Sequence, residues 1–73
     1  METQLSNTLK VHRSKSKLTQ GQLAEMAGIT RKSVNAIETG RMVPSVILAL
    51  LLSKVLDASV ETLFSIESVQ KKV

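Results

Sequence analysis

The sequence predicts a small all-α domain of five short helices, and three observations favour this class. The chain has 73 residues, which are enough for one domain and too few for two. It contains one aromatic residue and no cysteine, so its core must consist of aliphatic side chains without a disulfide. Residues 20–38 carry the apolar spacing of two helices joined by a glycine turn. Such a pair has to pack on further helices to bury its apolar faces.

The first helix is predicted to begin at residue 6 or 7 and to end at residue 14, with Leu5 and Leu9 on its inward side. Thr19 is typical of a helix N-cap, and Gln22 stands three residues after it, as in a capping box. The second helix is therefore expected to begin directly after Thr19.

A glycine and a threonine predict a tight turn and the start of a third helix. Gly28 can adopt the left-handed backbone that ends a helix, and the side chain of Thr30 can cap the next one. Val34 and Ile37 lie three residues apart and face the core. The opposite face then carries polar side chains suited to base edges and phosphates, namely Arg31, Lys32, Ser33 and Asn35.

Two further helices and a C-terminal segment complete the prediction. Ser45 is expected to cap a fourth helix, and Ser59 a short fifth helix that ends near Phe64. Residues 65–73 carry isolated apolar side chains and a charged end, which allow either a frayed tail or a short strand. The whole chain is thus expected to be one domain with its core in residues 8–64.

The fourth helix is apolar on every side over residues 46–52, although a helix in so small a domain needs only about 100° of apolar arc. Four of its side chains are assigned to the core: Val46, Ala49, Leu50 and Leu52. An apolar stripe of Ile47, Leu51 and Val55 remains on the other side of the helix, and Ile66 in the tail can extend it. A two-fold axis through this stripe would bury it in a homodimer. Alternatively, Phe64 and the tail fold back over the stripe within one chain.

The net charge of +4 is concentrated in one part of the chain. Residues 10–41 contain seven basic and two acidic residues, for a net charge of +5, whereas the rest of the chain sums to −1. Because the basic segment contains the two helices and their turn, its charge favours a polyanionic partner, with duplex DNA as the candidate. A solvated, solubilising surface is the alternative.

Other classes of function find little support. The chain has a single histidine, no cysteine and no paired carboxylates near a nucleophile, so we expect neither an enzyme nor a metal or cofactor site. His12 has no partner at metal-ligand spacing. The longest apolar run is far shorter than the roughly 20 residues that cross a bilayer, so no membrane partner is expected. Without cysteines, a cytoplasmic location is the default expectation.

Residues 8–64 contain a set of short motifs whose combined spacing is far more specific for one protein family than a glycine turn alone. These motifs are Leu18-Thr19-Gln20, Leu23-Ala24, Gly28-Ile29-Thr30, Val34, Ile37-Glu38, Gly40, Pro44-Ser45 and Leu63-Phe64. In them the chain resembles the Cro and phage-repressor-like proteins, the XRE-type helix-turn-helix family of transcription regulators. The resemblance implies a five-helix lambda-repressor-like DNA-binding domain, a homodimer on a partly palindromic operator, and a third helix that lies in the major groove.

The resemblance also implies roles for individual residues. Gln20 and Thr30 would hold backbone phosphates. The residues expected to face bases are Arg31, Lys32, Ser33 and, at a thymine methyl group, Ala36. The residues expected nearer the DNA backbone are Asn35, Thr39 and Arg41.

The family layout further implies a partly buried ion pair between Arg13 and Glu38, which makes Arg13 structural. At two places the chain departs from the family pattern, which limits how far the family's residue roles apply to it. Arg31 and Lys32 are both cationic where the family often has Gln or Ser, which favours contacts to guanine and also loose binding to phosphates. Ile47 and Leu51 stand where the family usually exposes charged residues.

A protein-interaction role is the competing hypothesis. In it the chain is an antitoxin or bridging protein, and a partner protein covers the apolar fourth helix. Co-purification of a partner protein without DNA separates this hypothesis from transcription regulation. If the chain is a transcription regulator, we expect it to be a repressor.

Overall fold

The structure, a computed structural model, describes residues 2–69 and contains the five predicted helices. A two-stranded antiparallel sheet joins the two ends of this segment. In chain order the elements are β1 (Glu2–Asn7), α1 (Leu9–Lys15), α2 (Gln20–Ala27), α3 (Arg31–Glu38), α4 (Val46–Leu56), α5 (Val60–Leu63) and β2 (Phe64–Val69). Within the described residues, no helix has the length and apolar character needed to cross a membrane.

Each of the five helices contributes at least one fully buried side chain to a single apolar core. The largest side chains with almost no exposed surface are Leu9, Leu23, Val34, Ile37, Leu52 and Leu63. Their burial removes apolar surface from water, which is the main favourable term in the stability of such a small domain. Val34 and Ile37 thereby anchor the inner face of α3, as their spacing predicts.

The predicted caps and turn are confirmed. Thr19 accepts a hydrogen bond from the backbone N–H of Gln22, whose side chain accepts one from the backbone N–H of Thr19, so the capping box is complete. Gly28 ends α2 in the left-handed region at φ 73°. Ser45 and Ser59 cap α4 and α5 as expected. These local signals fix where the helices begin.

The prediction for the N-terminal segment is wrong, because residues 2–7 form a strand and α1 begins later. Leu5 is part of β1, where it pairs with Ile66, and it does not lie on the inward side of a helix. The side chain of Asn7 accepts a hydrogen bond from the backbone N–H of Leu9 and so delays the start of α1. Pairing with β1 also makes the C-terminal segment a strand through Val69, and the remaining four tail residues lie outside the described residues.

The prediction of which side of α4 faces the core is partly wrong. Ala49 and Leu52 are buried as expected, but Val46 and Leu50 are 77% and 57% exposed. Since the helix buries positions 49, 52 and 56, its opposite side carries Val46 and Leu50 together with Ile47 and Leu51. We call these four residues the outer stripe.

Val55 does not belong to the outer stripe, because it packs against the core. Phe64 is buried in the core, yet Ile47 stays 72% exposed, so residues 2–69 do not cover the outer stripe. The alternative in which Phe64 folds over the stripe is therefore wrong for the described part of the chain.

Candidate nucleic-acid interface

The turn between α2 and α3 holds the two helices in a fixed relation. The backbone N–H of Ile29 donates to the carbonyl of Ala24 at 2.9 Å, which closes the left-handed turn at Gly28. The side chain of Thr30 accepts a hydrogen bond from the backbone N–H of Ser33 at 3.1 Å and starts α3. These hydrogen bonds fix the end of α2 and the start of α3 within six residues of each other.

The outer face of α3 carries the polar residues that the sequence places there. Arg31 and Lys32 are exposed, while Ser33, Asn35 and Ala36 are half-buried on the same helix, whose Val34 and Ile37 lie in the core. Within residues 2–69 the structure contains one ion pair, and neither Arg31 nor Lys32 takes part in it. Both cations thus remain available to an anionic ligand.

One depression in the surface brings residues of α2 and α3 together. It is lined by Gln20, the first residue of α2, and by Arg31, Lys32 and Asn35 of α3. The side-chain nitrogen of Gln20 donates to the side-chain oxygen of Asn35 at 3.2 Å. The start of α2 therefore borders the outward face of α3.

The remaining residues predicted to contact DNA lie at the two ends of α3. Thr30 is exposed at its start, and its hydroxyl contacts that of Ser33 at 3.0 Å. Thr39 caps the other end and donates to the carbonyl of Asn35 at 2.8 Å. Arg41 is exposed and donates from Nε to the hydroxyl of Thr39 at 3.2 Å. The structure thus spreads the predicted contact residues along the whole length of α3.

Arg13 and Glu38 lie in direct contact behind this face. Arg13 donates from Nε to Glu38 Oε2 at 2.6 Å and from Nη2 to Glu38 Oε1 at 3.2 Å. The two side chains are 13% and 3% exposed, respectively. A bidentate pair of this kind combines charge with fixed geometry, so it holds α1 against the end of α3.

Two further contacts of this pair are absent from the sequence prediction. Arg13 Nη1 donates to the backbone carbonyl of Leu18 at 2.8 Å, and Gln20 Nε2 donates to Glu38 Oε1 at 3.0 Å. The first contact fixes the loop before α2, and the second fixes the first side chain of α2. The second contact has no local sequence signal, because it joins the first residue of α2 to the last residue of α3.

The site consists of two capped helices joined by a glycine turn, with a cationic outward face, and known proteins share this arrangement. A family model described as helix-turn-helix matches residues 5–68. The chain belongs to the XRE-type helix-turn-helix family. This is a family of transcription regulators, which confirms the class that the resemblance implies.

Named relatives agree with this assignment. The chain is 38% identical over 63 residues to YgzD of Bacillus subtilis strain 168, named as an uncharacterized HTH-type transcriptional regulator; the match covers 86% of this chain and 96% of YgzD. Among solved structures, the restriction-modification controller protein C.AhdI from Aeromonas hydrophila matches with a TM-score of 0.71 and 30% identity, over 74% of this chain and 82% of that chain. A chain from the complex of the SinR and SinI proteins matches with a TM-score of 0.70 and 33% identity, over 74% of this chain and 53% of that chain.

Proposed function

We propose that this helix-turn-helix protein is a cytoplasmic repressor that binds a palindromic operator in duplex DNA as a homodimer. One observation carries the DNA-binding part: α3 is anchored by buried Val34 and Ile37, and its other face presents Arg31 and Lys32 without a carboxylate partner in residues 2–69. A rigid helix with free cations on its outward face fits the major groove of DNA. Occupation of an operator that overlaps a promoter represses transcription by exclusion.

In this proposal the contacts divide by their position along α3. Arg31, Lys32 and Ser33, in the first turn, face base edges, and Ala36 contacts a thymine methyl group. Thr30 at the start of α3 and Thr39 and Arg41 at its end lie near phosphates. Gln20 and Asn35 border the same depression as Arg31 and belong to the interface.

The homodimer part of the proposal rests on the outer stripe. Full burial of a Val, Leu or Ile side chain contributes about 1.5–3 kcal/mol, so the stripes of two chains together supply a favourable term of the same order as the association cost of about 4–15 kcal/mol. Ile47 and Leu51 are central to the proposed contact, whereas Val55 supports it from the core side. A two-fold axis through α4 would present two copies of α3 to one face of the duplex.

The test of base readout compares Arg31→Ala with a matched control, Lys10→Ala, which removes an exposed cation from α1. Affinities are measured by gel shift on an operator and on its single-base variants. Arg31→Ala should cost about 1–3 kcal/mol and abolish discrimination at one base pair of each half-site. Lys10→Ala should leave discrimination unchanged at every position. Equal discrimination by parent and Arg31→Ala would contradict the assignment of α3 as the reading helix.

A second candidate function uses the same outer stripe differently. Its four exposed aliphatic residues are also a surface that a partner protein could cover, as in an antitoxin or bridging protein. The similarity to a chain from the SinR and SinI complex supports this candidate. Purification of the chain without DNA, followed by sedimentation, separates the two. A homodimer of the chain alone supports the first proposal, and a complex with a co-purified second protein supports this one.

A further inference from the structure

The buried carboxylate of Glu38 decides which atom of the Gln20 amide points inward. The side chain of Glu38 is 3% exposed, and its Oε1 accepts hydrogen bonds from Arg13 Nη2 at 3.2 Å and from Gln20 Nε2 at 3.0 Å. An ionised carboxylate only accepts hydrogen bonds, so the Gln20 atom that faces it must be the NH₂ group. In the reverse orientation the Gln20 oxygen would face an oxygen of the Glu38 carboxylate, and the hydrogen bond between the two side chains would be lost.

The same NH₂ group then orients Asn35. Gln20 Nε2 also donates to Asn35 Oδ1 at 3.2 Å, so its two protons are matched to two acceptors. With its oxygen turned to Gln20, Asn35 directs its own NH₂ group elsewhere. Within residues 2–69, neither Gln20 Oε1 nor Asn35 Nδ2 has a hydrogen-bond partner, and both side chains border the depression beside Arg31 and Lys32.

We propose that the Arg13–Glu38 ion pair sets the hydrogen-bonding polarity of the DNA-facing surface, so that Gln20 presents an acceptor oxygen and Asn35 presents donor protons. The ion pair thus acts on recognition as a positioning device, since its carboxylate orders Gln20 and Gln20 orders Asn35. The DNA half of this inference rests on the proposed function, but the polarity itself is a property of the free protein.

This polarity changes the role that the resemblance implies for Gln20. A phosphate oxygen only accepts, so the side-chain oxygen of Gln20 cannot bind it, and a phosphate contact at this residue falls to the backbone N–H at the start of α2. The matching DNA group is an exocyclic amine, N6 of adenine or N4 of cytosine. Asn35, in contrast, can donate to a phosphate oxygen or to a purine acceptor. Gln20 becomes a specificity-determining residue, and Asn35 takes over the donor role.

The first experiment measures side-chain amide hydrogen exchange by ¹⁵N NMR in the free protein. Gln22 is the matched reference, because its oxygen is bonded to the Thr19 N–H while its NH₂ group lies on an exposed residue. The Gln20 NH₂ group should exchange about tenfold more slowly than that of Gln22, and the Asn35 NH₂ group should exchange about as fast as the reference. Exchange of Gln20 at the Gln22 rate, or protection of Asn35 without DNA, would overturn the proposal.

The second experiment tests the consequence for recognition with Gln20→Ala and Asn35→Asp. Gln20→Ala should lose affinity mainly on operators with adenine or cytosine at one position, by about tenfold relative to the other bases; an equal loss on every duplex would restore the phosphate role and overturn this one. Asn35→Asp keeps an oxygen toward Gln20, so Gln20 stays protected while affinity for all duplexes falls. If the parent binds no duplex selectively, the proposed function is wrong. The exchange measurement, made without DNA, still tests the orientation of the Gln20 and Asn35 amides.

Discussion

Removal of Arg13 should destabilise the domain far more than removal of an exposed cation. Arg13→Ala deletes two hydrogen bonds to Glu38 and one to the carbonyl of Leu18. The Glu38 carboxylate, 3% exposed, is then left with the Gln20 side chain as its donor in the described part of the chain. Breaking a buried ion pair by removal of one partner costs about 3–5 kcal/mol.

That cost is large on the scale of this domain. At roughly 0.05–0.15 kcal/mol per residue, a chain of 73 residues has a stability of about 4–11 kcal/mol. A loss near 3 kcal/mol therefore removes a substantial share of the folding free energy. It should lower Tm by about 12–24 °C, since 1 kcal/mol corresponds to about 4–8 °C at this size.

The assay is urea unfolding followed by far-UV circular dichroism, because the chain has no Trp or Tyr to report by fluorescence. Protein concentration is held constant so that self-association does not enter the comparison. Lys10→Ala is the control on the same helix and should change stability by less than about 0.5 kcal/mol. The double variant Arg13→Met, Glu38→Leu should be less destabilised than either single alanine variant, because no charge remains unpaired. Additive effects in the Arg13→Ala, Glu38→Ala cycle would refute the coupling.

Three further predictions concern the turn at Gly28, the start of α2 and the outer stripe. Gly28→Ala should lower stability by about 1–2 kcal/mol in thermal melts. The cause is its φ of +73°, because the added Cβ meets no atom within 4 Å. Gly21→Ala should stabilise α2 by about 0.5–1 kcal/mol, since its Cβ makes only an ordinary contact, 3.9 Å from Thr19. The double variant Ile47→Glu, Leu51→Lys should sediment as a folded monomer beside a dimeric parent. A variant that stays dimeric with unchanged operator cooperativity would place the dimer contact elsewhere.

The features that sequence predicts well are those decided within a few residues. The capping box of Thr19 and Gln22 and the left-handed turn at Gly28 depend on backbone groups at most three or four positions away. The inner face of α3 is similarly clear, because the apolar Val34 and Ile37 lie three residues apart among polar residues, which is helical spacing. In these segments propensity, capping and pattern all indicate the same structure.

The features that sequence misses are decided by partners far along the chain. Leu5 fits an inward helix position equally well until Ile66, near the other end, pairs with it in a sheet. Val46 and Leu50 cannot be placed from α4 alone, because a helix that is apolar on all sides has no periodic signal to set its rotation. Only the position of the other helices decides which side is buried.

The candidate site shows the same division. The exposed cations of α3 follow from its apolar spacing, but the direction of the Gln20 amide does not, since it depends on the buried carboxylate of Glu38. A sequence motif can therefore name the residues of such a surface without giving the direction of their hydrogen bonds.

Selection of bound sequences from a pool of random duplex DNA, carried out with the full chain, tests the central claim most directly. The proposal that α3 of each protomer reads a major groove predicts a palindrome whose half-sites lie about 10 base pairs apart, centre to centre. Each half-site should contain a guanine whose replacement weakens binding of the parent but not of Arg31→Ala. A selected pool indistinguishable in sequence from the starting pool would contradict the claim.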